Sequence, residues 1–211
     1  PLCWELQRKT QIWVDTMSLR NQIFRGGAYL ALRQGVAQVI NLGGTLLLTK
    51  AIGPAAYGLY AGAFGIQTYL FNLSQWGVGV YLVRQEKEGE LQVYHQAFTL
   101  LFLLGILTVL LTGLVSPLLE QWLQLQGFGS IALVLFAGLP LRLLTLVPTA
   151  RLERQLDYRQ VAIVELVGQT LYYVVALSMA YGGLGAWSPI GGWWAQQSMS
   201  LVLLCRAAHY R

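Results

Sequence analysis

Six long apolar stretches dominate the hydrophobic pattern of this chain, and short polar segments separate them. A membrane-spanning helix requires about 20 mostly apolar residues. Six stretches satisfy this requirement: Gly26–Thr49, Leu59–Val83, Gln96–Val115, Phe128–Pro148, Gln160–Tyr181 and Ala186–Cys205. The connections are Lys50–Gly58, Arg84–His95, Ser116–Gly127, Thr149–Arg159 and Gly182–Gly185. Because short loops make consecutive helices antiparallel, the pattern predicts an all-α, polytopic membrane protein with six transmembrane helices.

These boundaries define three parts of the chain. Residues 1–25 form a cytoplasmic juxtamembrane segment, either an amphipathic helix on the membrane surface or a basic lead-in to the first span. Residues 26–205 form the six-helix transmembrane lobe. Residues 206–211 form a cytoplasmic end, which we expect to be truncated.

Composition excludes several other classes of protein. Charged residues make up 11% of the 211 positions, whereas a soluble domain carries about 25%. Aromatic residues make up 12%, which argues against a disordered chain. Two cysteines and two scattered histidines predict neither a disulfide framework nor a metal site. No hydrolase, nucleotide-binding or metalloprotease motif occurs, so we expect no enzyme activity, no cofactor and no nucleic-acid partner.

The distribution of basic residues predicts the orientation in the membrane. Lys50 is alone on one side of the predicted membrane. The other side carries Arg8, Lys9, Arg20, Arg25, Arg84, Lys87, Arg151, Arg154, Arg159, Arg206 and Arg211. Since cytoplasmic loops are enriched in Lys and Arg, both termini are predicted to be cytoplasmic.

Three ionisable residues lie inside the predicted spans: Arg33, Arg142 and Glu165. Charged groups are costly in hydrocarbon and typically mark functional sites. From the helical rise, all three lie about 8–10 Å inside the cytoplasmic edge. Each arginine has two interpretations, either extension to the headgroups or ligand binding inside the bundle. Glu165 is too short for the first, so we expect a salt bridge to an arginine or a coupling role.

Polar residues form stripes along four of the predicted spans. Gln34, Gln38, Asn41 and Thr45 recur at spacings of 4, 3 and 4, which places them on one face of a helix. Similar pairs or triplets follow in spans two, five and six: Gln67 and Ser74; Glu165, Gln169 and Tyr172; and Gln196 and Ser200. Any one stripe is equally well explained by hydrogen bonds between helices. Together, the four favour a polar cavity.

Several short motifs resemble a known family of exporters. They are Leu-Thr-Lys followed by Ile-Gly-Pro-x-x-Tyr-Gly (Ile52–Gly58), Gly77-x-Gly79 followed by Leu-Val-Arg, a Pro148–Arg159 segment with Leu-Glu-Arg, and Gly182–Trp187. This pattern is similar to the amino-terminal half of bacterial polysaccharide flippases. These are the O-antigen and oligosaccharide repeat-unit translocases of the multidrug/oligosaccharidyl-lipid/polysaccharide exporter superfamily.

The resemblance implies a function and a set of binding residues. Family members have two six-helix lobes, so a second lobe is expected in the same or another chain. The implied function is flipping of undecaprenyl-diphosphate-linked oligosaccharide across the bacterial cytoplasmic membrane for polysaccharide or lipopolysaccharide biosynthesis. Cavity cations would meet the diphosphate, and Arg33 and Arg142 match that role, with Gln34, Gln38 and Asn41 lining the path. The alternatives are a multidrug or lipid-precursor exporter of the same superfamily and a non-transporting membrane scaffold.

Overall fold

The computed structural model describes residues 34–75, 77, 91–125, 127–154 and 158–207, and all regular structure in these ranges is α-helical. The helices are α1 (Gln34–Ile52), α2 (Pro54–Gln75), α3 (Leu91–Leu123), α4 (Phe128–Phe136), α5 (Leu139–Leu144), α6 (Leu146–Arg154), α7 (Tyr158–Tyr181) and α8 (Trp187–Ala207). The chain divides into two units, Pro1–Leu42 and Gly43–Arg211. In the first unit, the described residues are those at the beginning of α1. The second unit contains the rest of α1 and all the other helices.

Four helical stretches in the described ranges are long and apolar enough to cross a membrane, where the sequence predicted six. They are Gln34–Ile52, Gln96–Trp122, Phe128–Glu153 and Arg159–Tyr181. Helix α8 forms at the position predicted for span six. Helix α2 begins at Pro54 instead of the predicted Leu59 and ends at Gln75, and the end of predicted span two, residues 78–83, lies outside the described residues. Neither helix is among the four. Amide side chains such as Gln67, Asn72, Gln196 and Gln197 make these two helices less apolar.

The predicted loop Lys50–Gly58 is wrong, because the first turn is a single residue. Helix α1 ends at Ile52 and α2 begins at Pro54. Gly53 lies between them with a φ of 86°, a left-handed conformation that glycine adopts without steric cost. Proline suits the first position of α2, where no helical partner exists for its missing N–H group.

The predicted end of span three at Val115 is also wrong. Helix α3 has 33 residues and continues through Pro117 to Leu123. Proline cannot donate a backbone hydrogen bond to the residue four positions earlier, which is Gly113. The hydroxyl of Ser116 donates to that same Gly113 carbonyl at 3.1 Å. The neighbouring serine therefore satisfies the group that proline leaves unbonded, and the helix continues.

Span four is not one helix but three short ones, α4, α5 and α6, which follow one another with single turns between them. The predicted loop Thr149–Arg159 is correspondingly wrong at its start, since α6 continues to Arg154. These helices contain much of the buried core, including Leu135, Phe136, Leu139, Leu143 and Val147. Helix α3 packs against α4 and α5, α2 packs against α4, and α7 packs along α8. The broken span is therefore enclosed by helices on several sides.

Glycines allow the closest approaches between helices. A Cβ atom at Gly105 of α3 would lie 2.8 Å from the Cα of Pro140 in α5. A Cβ atom at Gly192 of α8 would lie 2.6 Å from the Tyr172 carbonyl of α7. Small residues permit this kind of backbone approach between membrane helices. Gly105 thus brings α3 directly against the proline of the broken span.

Candidate functional site

At the break in span four, some backbone carbonyls accept hydrogen bonds from side chains of two other helices. At the end of α4, the Gly138 N–H donates to the Leu135 carbonyl at 3.2 Å instead of to Val134. The indole N–H of Trp194 in α8 donates to the Val134 carbonyl at 3.2 Å. The Nε2 group of Gln67 in α2 donates to the Leu135 carbonyl at 2.6 Å. Buried carbonyls need such partners, so α2 and α8 stabilise the break.

Arg142 lies in α5, immediately after this break. Its guanidinium carbon is 4.1 Å from the centre of the Phe71 ring and 5.8 Å from the centre of the Phe64 ring, both in α2. These distances are within the range of cation–π attraction, about 6 Å. The side chain is half-buried, and its buried Nη1 atom has no hydrogen-bond partner among the described residues. Arg142 therefore retains hydrogen-bond donors that the described protein groups do not use.

Gln67 lies between the two phenylalanines on the same face of α2, because spacings of 3 and 4 residues repeat one helical face. Its side chain is 0% exposed. With Nε2 bonded to Leu135, the acceptor atom Oε1 has no partner in the described part of the chain. A buried donor on Arg142 and a buried acceptor on Gln67 are thus both unsatisfied at this contact between α2 and α5.

Other polar side chains on this face of α2 form hydrogen bonds with neighbouring helices. The Tyr172 hydroxyl of α7 donates to the Tyr60 hydroxyl at 3.4 Å. The hydroxyls of Ser74 and Thr108 in α3 lie 3.0 Å apart. The polar stripe predicted for span two, Gln67 and Ser74, is therefore buried inside this unit. For Ser74, a hydrogen bond between helices explains the polar residue directly.

The described residues place the other predicted site residues in different surroundings. Gln34, Gln38 and Asn41 are exposed on the first part of α1, in a different unit from Arg142. Further along α1, Thr45 lies 3.2 Å from the Tyr173 hydroxyl. Glu165 is exposed on α7. Arg33 lies outside the described residues. The binding roles assigned to these side chains, and the coupling or salt-bridge role of Glu165, stay predictions.

The apolar stretch that contains Arg142 is longer than the sequence suggested. It continues to Glu153 instead of ending at Pro148. The estimate of about 8–10 Å for the depth of Arg142 took Pro148 as the cytoplasmic end of the span. The position of the headgroups along the longer stretch is itself a prediction. Both interpretations of Arg142, extension to the headgroups and ligand binding inside the bundle, therefore stay predictions.

The two phenylalanine rings that contact Arg142 were not predicted from the sequence. Phe64 and Phe71 flank Gln67 at helical spacing, and that spacing is visible in the sequence. The contact between α2 and α5 is not visible in the sequence, because it depends on how helices that are distant in sequence pack together.

This arrangement suits the binding of an anion. A guanidinium presents several N–H donors in a plane, which matches the oxygens of phosphate or carboxylate. Its apolar surroundings strengthen such a bond relative to water. No group of three or more His, Cys, Asp or Glu side chains that could hold a metal ion occurs among the described residues.

Comparison with known proteins assigns most of the chain to one family. A sequence model of the family described as polysaccharide biosynthesis protein matches residues 47–211. That range includes α2 to α8 and every residue around Arg142. No curated protein and no solved structure matches the chain.

Proposed function

The chain belongs to the polysaccharide biosynthesis protein family, and from that premise we propose that it is the amino-terminal lobe of a lipid-linked oligosaccharide flippase. Its apolar helices and its family make it a multi-pass membrane protein. The proposed substrate is an undecaprenyl-diphosphate-linked oligosaccharide repeat unit. The proposed step moves the glycan across the bacterial cytoplasmic membrane, without making or breaking a covalent bond.

The placement of Arg142 is the observation that supports this proposal. A cation in an apolar span is costly, and such residues typically mark functional sites. Here the guanidinium lies against two aromatic rings, and its buried Nη1 group has no hydrogen-bond partner within the described ranges. A diphosphate offers the charge and the paired oxygens that such a group binds in bidentate fashion. Arg142 is therefore the proposed ligand of the diphosphate, and Arg33 a second candidate.

The glycan needs a path that keeps its hydroxyl groups hydrogen-bonded. Moving an unpaired hydroxyl into hydrocarbon costs about 2–7 kcal/mol, and each sugar carries several. A polar path removes most of that cost. We propose that a second six-helix lobe, in the same or another chain, completes this path, and that rocking of the two lobes exposes the site to each side in turn. The polyprenyl tail remains among the membrane lipids.

The proposed membrane topology has six spans. Helices α2 and α8 have 22 and 21 residues, which corresponds to about 33 and 31 Å at the helical rise. A hydrocarbon core is about 30 Å thick, so both are long enough to cross. With all six helices spanning, every basic residue outside the spans except Lys50 falls on one side, and both termini are cytoplasmic.

Cysteine labelling tests this topology. In a chain with Cys3 and Cys205 replaced by serine, a cysteine is introduced in place of Lys50 or Arg206, both of which are exposed. In cells with a permeabilised outer membrane, an impermeant maleimide is expected to label Lys50→Cys at once. Arg206→Cys is expected to react only after the inner membrane is also opened. Labelling of Arg206→Cys from outside would contradict the orientation.

Ligand competition distinguishes the proposed substrate from that of a multidrug exporter. The protein in lipid nanodiscs is incubated with a radiolabelled prenyl-diphosphate disaccharide and one of three competitors. An unlabelled copy is expected to displace it. The matched neutral prenyl glycoside and a lipophilic cation are expected to compete at least about tenfold more weakly, because hydrogen bonds to charged groups contribute about 1.5–3 kcal/mol. Stronger competition by the cation would instead support drug export.

A further inference from the structure

We propose that Gln67 is the positioning residue of Arg142: its side-chain oxygen is the internal acceptor for the guanidinium, which it releases when an anion binds. This inference rests on the proposed anion-binding role of Arg142 and names the group that controls it. Neither the family description nor the sequence pattern assigns such a role to Gln67.

The orientation of the Gln67 amide is fixed by the broken span. Its Nε2 atom lies 2.6 Å from the Leu135 carbonyl, and a carbonyl can only accept. The amide oxygen must therefore point away from Leu135. The side chain is fully buried and Oε1 has no partner among the described residues. Gln67 thus presents its acceptor oxygen to the group that lies on its other side.

The Arg142 guanidinium lies over the part of α2 that contains Gln67. Phe64 and Phe71 are separated by about 10 Å along the helix axis, with Gln67 between them on the same face. The guanidinium carbon is 5.8 Å from one ring centre and 4.1 Å from the other. An unsatisfied buried group costs about 1–3 kcal/mol. Neither Nη1 of Arg142 nor Oε1 of Gln67 has a partner among the described residues, so the two do not bond directly in the structure. Pairing them through one water, or after a small side-chain movement, removes that cost for both groups.

The neutral charge of Gln67 makes this partner exchangeable. An amide oxygen is a weaker acceptor for guanidinium than an anionic oxygen. A diphosphate therefore outcompetes Gln67, and when the diphosphate leaves, the arginine returns to a satisfied state. A carboxylate at the same position would form a lasting ion pair and occupy the arginine. Gln67 accordingly allows Arg142 both to bind the diphosphate and to release it.

Chemical modification of the arginine tests this inference without any transport. The chain in lipid nanodiscs is treated with phenylglyoxal, and modification of Arg142 is followed by peptide mass spectrometry. Gln67→Met removes the acceptor at similar volume, and Arg142 is expected to react about tenfold faster or more, as expected for a lost hydrogen bond to a charged group. Gln67→Glu is expected to slow the reaction below that of the original protein.

Two controls distinguish a positioning role of Gln67 from a general loosening of the helix packing around Arg142. Trp194→Phe breaks the hydrogen bond to the Val134 carbonyl on the other side of the break but leaves Gln67 in place, so Arg142 reactivity is expected to stay unchanged. Arg206, exposed at the end of α8, is expected to react equally in every variant. The inference is overturned if Gln67→Met and Trp194→Phe accelerate Arg142 equally, or if neither Gln67 variant changes its rate.

A protection measurement distinguishes this inference from the proposed function. Geranylgeranyl diphosphate is expected to protect Arg142 from phenylglyoxal in the original protein and to lose most of this effect in Gln67→Glu. Full protection in Gln67→Glu would contradict the exchange of partners. If the diphosphate protects neither protein while the Gln67 variants still change the reaction rate, the positioning role is supported and the diphosphate ligand is not.

Discussion

Replacing Gly105 by alanine is expected to destabilise the chain, whereas the same change at Gly113 of the same helix is expected to stabilise it. A Cβ atom at Gly105 would lie 2.8 Å from the Pro140 Cα and 3.0 Å from its Cβ. Backbone atoms cannot move aside cheaply, and overpacking costs about 1–3 kcal/mol. At Gly113, no atom lies within 4 Å of the added carbon, so alanine contributes only its better helix propensity, about 1 kcal/mol.

The midpoint of thermal unfolding, measured for both variants in the same detergent or nanodisc, checks this pair. The expected shifts have opposite signs. Because both substitutions replace glycine by alanine in α3, the effect on helix propensity largely cancels in the comparison. Equal shifts for the two variants would mean that α3 does not approach Pro140 as closely as the structure shows.

The sequence predicted the features that depend on local pattern. Apolar stretches identified the helices, and the glycines of Gly182–Gly185 correctly marked the turn between α7 and α8, where Gly183 and Gly185 have positive φ. The charge of Arg142 in an apolar span was enough to select it as a candidate. Each of these inferences needs only the residue and its neighbours along the chain.

Helix ends were predicted less well, because single side chains compensate for residues that break helices. Span three was predicted to end at Val115, but the Ser116 hydroxyl binds the Gly113 carbonyl next to Pro117, and α3 continues. Span four was predicted as one helix, but it is interrupted at Ala137 and Gly138. Side chains from two other helices bind the Leu135 and Val134 carbonyls at this interruption. Those partners are remote in sequence.

The surroundings of Arg142 could not be predicted for the same reason. Gln67 was recognised as one polar residue in a stripe, with no indication that Phe64 and Phe71 on either side would contact an arginine of α5. The contact depends on the packing of α2 against the broken span. The polar stripe of α2 was expected to help line a cavity, and the structure shows it buried between helices.

Replacing Arg142 by glutamine is expected to abolish transport while the protein still inserts into the membrane at normal abundance. The variant loses the charge that attracts the diphosphate and the two parallel N–H groups that bind its oxygens. Arg142→Lys is expected to lose most of the activity, because lysine keeps the charge but lacks the planar group that binds bidentately and stacks on aromatic rings. Each lost charge-assisted bond reduces affinity by about tenfold to a hundredfold.

Arg206→Gln is the matched control for this prediction. It removes the same charge from an exposed position in the last turn of α8, and it is expected to leave transport nearly unchanged. If Arg142 served only as an anchor at the interface, lysine would replace it fully, since both side chains reach the headgroups. Equal activity of arginine and lysine at position 142 would therefore exclude the ligand role.

The most direct test of the central claim is translocation in proteoliposomes by the chain together with the proposed second lobe. A polyprenyl-diphosphate oligosaccharide carrying a fluorophore on its glycan is placed in both leaflets, and an impermeant reductant is added outside. We predict that the original protein and Arg206→Gln allow nearly all the fluorescence to be quenched. Arg142→Gln should leave about half protected, as in vesicles without protein. Complete quenching with Arg142→Gln, or half protection with the original protein, would contradict the proposed flippase function.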